Sequence, residues 1–169
     1  PDWEFVLSHD PGLTGAAWVW GATDKQGIIS IFDAWLPEEE IINTQVAEAQ
    51  SRWKGLEIHR KVIDRSAYAR QMTNKRKLSD EYADLGIRFE PGQSDKFLGT
   101  NRILRLMQTG RLKIAAHLTG LLRQLGEVAY KHGRPDDSDQ HGVAALRYLV
   151  NAFWKPGFER EAEQVRTDP

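Results

Sequence analysis

Acidic side chains and one histidine carry the chemistry that this sequence can offer. Asp136, Asp137, Asp139 and His141 fall within six residues of "DDSDQHGVAALRYLV" (136–150), while Asp10 in "SHDPG" and Asp64 in "VIDRSA" each close a strand-like segment. There is no cysteine, which excludes disulfides, thiolate nucleophiles and Cys-based zinc sites. Any metal must be held by oxygen and imidazole. Hard divalent cations such as Mg²⁺ take carboxylates and water, and Mn²⁺ accepts histidine more readily. Each residue also has an ordinary reading. Asp before Pro-Gly caps a turn with its own side chain, Asp64 before "RSAY" suits a helix N-cap, and a lone helical histidine is usually a surface group.

The elements that position these groups follow from periodicity. "WEFVLSHD" (3–10), "AAWVWGAT" (16–23) and "GIISIFDAWL" (27–36) are rich in aromatic and β-branched residues with turn chemistry between them, which predicts an antiparallel meander. Glu38, Glu39 and Glu40 after Pro37 suit a helix N-terminus, with Ile42, Val46, Ala49 and Trp53 at helical spacing up to Gly55. "LEIHRKVID" (56–64) reads as a fourth strand and "IRFEPG" (87–92) as a fifth, with a short helix at "RSAYARQM" and another capped by Ser79 and stopped by Gly86. A longer helix starts at Ser94 or Asp95 and stops at Gly110, with Leu104 and Met107 on its apolar side. Residues 111–133 begin extended and turn helical, with Leu118, Leu121, Leu122, Leu125 and Val128 as the stripe, and "GRPDDSD" is a loop.

The last strong helix runs from about Ser138 to Phe153. At ~100° per residue, Val143, Leu146, Val150 and Phe153 share the face that packs on the sheet, and Asp137, His141, Ala144 and Tyr148 share another. Asp139 would point toward the apolar face if helical, so it suits a position just outside the helix, as N-cap or loop ligand. The expectation is an α/β domain with a mixed central sheet, its first three strands antiparallel, flanked by helices. Sites in such sheets gather at strand ends, where Asp10 and Asp64 fall.

At 169 residues the chain is expected to be one domain. No apolar run approaches the ~18 to 20 residues of a membrane span. "PDWEFVLSHD" lacks the regions of a signal peptide, so a cytosolic protein without membrane partners is expected. A net charge of −1 hides an uneven distribution. From Arg52 to Lys77 there are nine Lys or Arg against Glu57 and Asp64, and from Lys96 to Lys113 five bases and no acid. Such surfaces suit a polyanionic partner, or are simply solvated helix faces.

In order along the chain, "HDPG", "VIDRSA", "GQSDKFLGTNRILRLMQTGRLKI" and "DQHGVAALRYLV" resemble the nuclease domain of the large terminase subunit of tailed bacteriophages, a ribonuclease H-like, resolvase-like endonuclease. The likeness spans Trp3 to Phe153. It implies a ribonuclease H-like fold, with residues 1–155 as the nuclease domain and 156–169 as a polar tail. It also implies an enzyme that cuts concatemeric double-stranded viral DNA during packaging in the host cytoplasm, at the procapsid. Its partners would be the DNA, an ATPase domain preceding it in the same subunit, the portal and the small terminase subunit.

The implied chemistry is phosphodiester hydrolysis with two divalent ions, Mg²⁺ or Mn²⁺, ~3.5 to 4 Å apart. By resemblance Asp10 bridges both ions, Asp64 holds one, and Asp139 or Asp137 with His141 completes the other. Arg65, Lys75, Arg76 and Lys77, with Arg60, Lys61 and Arg70 nearby, suit phosphate contacts that position duplex DNA, and Lys96 contacts DNA or orders the site. Trp18, Trp20 and Trp35 suit the sheet core rather than base stacking. One position departs: the family commonly reads His-x-x-Asp-Ala-Leu here, whereas "HGVAAL" has Ala144 in place of the aspartate. Either an Asp-to-Ala replacement disables the site, or the ligand set shifts to Asp139 or Asp137. The other readings are a catalytically silent ribonuclease H-like DNA clamp or docking module, and a Holliday-junction resolvase.

Overall fold

The computed structural model describes residues 2–12, 15–71, 75–131, 134–136 and 140–154. Asp137, Ser138, Asp139 and the tail 156–169 lie outside the described residues. Strands β1 (Glu4–Asp10), β2 (Ala17–Thr23) and β3 (Ile29–Trp35) form the antiparallel meander. Helix α1 (Ile42–Arg52) leads to β4 (Arg60–Ile63), a 3₁₀ turn (Arg65–Tyr68), α2 (Leu78–Asp84) and β5 (Glu90–Pro91). Then come α3 (Lys96–Gln108), β6 (Leu112–Ile114), α4 (Thr119–Gly126), a hairpin of β7 (Ala129–Lys131) and β8 (Arg134–Asp136), and α5 (His141–Phe153). The main sheet has six strands in the order β5-β4-β1-β2-β3-β6. Strand β4 is parallel to β1 and β5, and β6 is parallel to β3. This is the mixed α/β sheet that the sequence predicts.

Strand alternation sorts the core into two layers. Val6, Val19, Ile29, Ile31 and Val62 pack against α3, α4 and α5, while Leu7, Trp18, Trp20 and Ile63 pack against α1 and α2. Each strand therefore supplies both layers, since successive side chains point to opposite faces. Trp18 and Trp20 are fully buried in the second layer, as their strand pattern predicts. Val143, Leu146, Val150 and Phe153 are all buried, but so is the rest of α5 from Gly142 onward. The helix lies between the sheet and the α3–α4 layer, so an amphipathic reading of it is too narrow.

Several boundaries differ from expectation, each for a local reason. Helix α1 starts at Ile42, after the glutamates, because Glu39 adopts φ 51° and no right-handed helix passes through that conformation. Helix α2 is led by Lys77 rather than capped by Ser79, which is buried inside it; Lys77 is extended and bridged to Arg70. Helix α3 keeps its expected Asp95 cap to the Leu98 amide (2.9 Å) and its stop at Gly110 (φ 69°). It buries Gly99, Thr100, Ile103 and Leu106 instead, leaving Leu104 and Met107 exposed. Helix α4 ends at Gly126, short of Val128, and only Leu121 within it is buried. Part of the expected loop is strand β8, and α5 begins at His141 rather than at Ser138.

Candidate active site

The parallel pairing of β1 with β4 brings the two central acids together. Ser8 lies opposite Val62 and His9 opposite Ile63, and the Asp64 amide donates to the His9 carbonyl at 3.2 Å. One further step of this register sets Asp10 beside Asp64. The two-residue alternation that turns Val6 and Val62 toward α5 also turns Asp10 and Asp64 that way. Helix α5 meets both. His141, its first residue, donates from Nδ1 to Asp10 Oδ2 at 2.7 Å, and Tyr148, two turns on, donates from its hydroxyl to Asp64 Oδ2. The ordinary reading of Asp64 holds as well: its Oδ1 caps the 3₁₀ turn by accepting from the Ser66 amide at 2.6 Å.

The two carboxylates titrate in opposite directions. Burial pushes Asp10 above the usual carboxylate range and the neighbouring Asp64 charge adds to this, against the His141 hydrogen bond, the proximity of His141 and the Arg147 charge. Burial also raises Asp64, but hydrogen bonds from Ser66 and Tyr148 and the Arg147 charge outweigh it and hold this carboxyl below its ordinary value. Burial and the bond to Asp64 push the Tyr148 phenol far up, so it stays a proton donor. Arg147 is 1% exposed and lies across α3 at Gly99, where a Cβ would sit 2.1 Å from its Cγ.

Four contributors are not legible as site residues in the sequence. Gly12 and Gly15 let the β1–β2 connection close on the imidazole of His141: a Cβ on Gly12 would lie 2.9 Å from Cε1, and one on Gly15 3.0 Å from Cδ2. In the sequence they read only as turn glycines. Tyr148 stands seven residues from His141 on the same helix face, which is its one signal, and Arg147 has none. Ala144, between them, is buried and joins the apolar cluster.

The donors fit an oxygen-seeking divalent cation in part. Two carboxylates on neighbouring strand ends and an imidazole are the right chemistry, and a bound cation would offset the burial that disfavours the ionised form of Asp10. Among the described residues, however, no three acidic or imidazole groups form a ready-made ligand cluster. Position 144 contributes only a methyl group, and Asp137 and Asp139 lie outside the described residues.

The basic residues divide by partner. Arg65 is exposed directly after Asp64; Lys75 and Arg76 are exposed, Lys77 is half-buried, and Lys96 is exposed at the start of α3. Arg76 is ion-paired with Asp84 at 2.6 Å. Arg60 and Lys61, by contrast, are engaged within the fold. Arg60 pairs with Glu90 at 2.6 Å and donates to the Ala152 carbonyl, and Lys61 lies 5.7 Å over the Trp53 ring. Trp35 is half-buried beneath the Arg52 guanidinium, at 5.5 Å, rather than enclosed in the core.

A sheet that opens with an antiparallel meander, continues with parallel strands beside β1, and carries acids at the ends of β1 and β4 has the ribonuclease H-like fold. Within it, the chain has the fold of terminase nuclease domains. It matches the nuclease domain of the g2p large terminase from bacteriophage SPP1 with bound Mn (TM-score 0.66, 15% identity, 89% of this chain and 87% of that one). It also matches the large terminase nuclease from thermophilic phage G20c with bound zinc (TM-score 0.62, 18% identity, 92% and 84%). The large terminase from a second thermophilic bacteriophage matches as well (TM-score 0.73, 13% identity, 88% of this chain), and the chain spans 39% of that protein's length. No family model matches the sequence, and no curated protein does.

Proposed function

We propose that the chain is a metal-dependent endonuclease domain that cuts double-stranded viral DNA during genome packaging. The observation that carries the reading is the Asp10–Asp64 pair, set on adjacent strand ends by the β1–β4 register and faced by His141. Support comes from solved nuclease domains of the same fold, crystallised with Mn and with zinc. Asp10, Asp64, His141 and Asp139 would hold the divalent ions, Mg²⁺ or Mn²⁺. The ions would supply an activated water and charge stabilisation at the leaving oxygen. The chain's own residues do the rest. His141 fixes the Asp10 carboxylate, the Ser66 amide and Tyr148 fix Asp64, and Arg65, Lys75, Arg76, Lys77 and Lys96 hold phosphates without reading sequence. The ATPase domain of the same subunit, the portal and the small terminase subunit are the proposed partners, at the procapsid in the host cytoplasm.

Ala144 removes a carboxylate from where the family reads one, so the chain should bind cations weakly and cut slowly. Supercoiled-plasmid cleavage with Mn²⁺ and with Mg²⁺ tests this, comparing the chain with Ala144→Asp and Asp10→Asn. Nicking restored by Ala144→Asp over an inert chain supports a nuclease disabled at position 144. Cutting by the chain itself that Asp10→Asn abolishes supports a ligand set shifted to Asp139 or Asp137. A second reading, a silent DNA clamp, is favoured by the Ala144 methyl, which leaves no carboxylate at that position. Silence from all three proteins would support it.

A further inference from the structure

Tyr148 reaches Asp64 from the middle of α5, and it is built in rather than draped over the surface. The residue is 4% exposed. Its ring lies against the backbone of Gly92, where a Cβ would fall 3.3 Å from the ring and 3.0 Å from the Ile63 carbonyl. The Arg147 guanidinium lies over the ring, 5.4 Å from its centre. The hydroxyl donates to Oδ2 of Asp64 while the Ser66 amide donates to Oδ1. One donor on each oxygen fixes the carboxylate's rotation and leaves each oxygen a lone pair for another partner. Asp10 is held from one end of α5 by His141, and Asp64 from two turns further along the same helix.

We infer that Tyr148 is a positioning residue of the site, whose hydroxyl orients the Asp64 carboxylate for a divalent cation. The inference rests on the reading of the acid pair as a cation site. Hydrogen-bond partners behind a metal ligand typically contribute about 10- to 100-fold to metal affinity. Loss of the hydroxyl alone should therefore weaken binding by that order while the fold persists.

The test is Mn²⁺ affinity, measured by titration calorimetry on the chain, Ala144→Asp, Tyr148→Phe, Asp64→Asn and the double variant of the last two, with thermal unfolding of each. The expected result is a Kd raised about tenfold or more in Tyr148→Phe, and no further weakening when that change is added to Asp64→Asn. Unchanged or tighter binding in Tyr148→Phe would overturn the inference, because the hydroxyl would then be neutral or a competitor for Asp64. So would equal weakening in the Asp64→Asn background. If neither the chain nor Ala144→Asp binds Mn²⁺ at millimolar concentration, the cation-site reading fails first and the inference with it. Should Tyr148→Phe not fold, 3-fluorotyrosine labelling of the unaltered chain gives four fluorine resonances, one per tyrosine. Mg²⁺ should then move one of them, and no movement at saturating Mg²⁺ would contradict the inference.

Discussion

His9 and Asp10 are neighbours in sequence and face opposite layers. Asp10 turns to α5 and the site, whereas the fully buried His9 turns into the aromatic layer, its ring 3.8 Å from that of Trp18. Its Nδ1 donates to the Ala17 carbonyl at 2.9 Å and its Nε2 lies 2.6 Å from the Tyr82 hydroxyl, which can donate to the neutral ring. Burial is the main reason its pKa falls from 6.5 to about 3. The unfolded chain takes up this proton near pH 6.5 and the folded chain does not, so stability falls as pH drops through that window. From pH 7 to pH 5 the loss from this group is about 2 kcal/mol. Urea unfolding at the two pH values should show it, and His9→Gln should flatten the slope; an unchanged slope would contradict the assignment. At this scale Asp10, Asp64 and His141 could be picked out as candidates because the first two close strand segments and the third opens the last helix. Tyr148 and Arg147 were not, because a helix hydrophobic on nearly every side hides which polar residue faces inward.

Helix α3 shows why element faces were harder to read than elements. Its sequence offers Leu104 and Met107, yet the buried side runs through Gly99, Ile103 and Leu106, because Arg147 of α5 lies across the gap that glycine leaves. Gly99→Ala would place a Cβ 2.1 and 2.4 Å from Arg147 Cγ and Cδ. The forced repacking should cost about 1 to 3 kcal/mol, seen as a lower urea midpoint. Gly126, the last residue of α4, has nothing within 4 Å of such a Cβ. Gly126→Ala should therefore leave the midpoint unchanged or raise it slightly. Equal effects at the two positions would contradict the proposed packing of Arg147. The starts of α1 and α2 were misplaced for a related reason. A positive φ at Glu39 and a bridge between Arg70 and Lys77 decide them, and neither is written in local helix propensity.

The whole molecule was the most legible level, because five strand segments and long periodic helices leave few α/β arrangements. The order β5-β4-β1-β2-β3-β6 then does the functional work: it makes β1 and β4 neighbours, so acids 54 residues apart end side by side. The β7–β8 hairpin escaped notice because "AYKHGRPD" is short, polar and interrupted by proline. The basic residues divide along the same geometry. Arg60 and Lys61, at the start of β4, pair within the fold, while Arg65 past its end is exposed beside the acids. The sheet is proposed to seat a divalent cation between Asp10 and Asp64. A crystal of the Ala144→Asp protein soaked in Mn²⁺, with anomalous scattering recorded, tests it most directly. An anomalous peak within coordination distance of both carboxylates is the predicted result; a saturating soak with no peak there, or with Mn²⁺ bound only elsewhere, would contradict it.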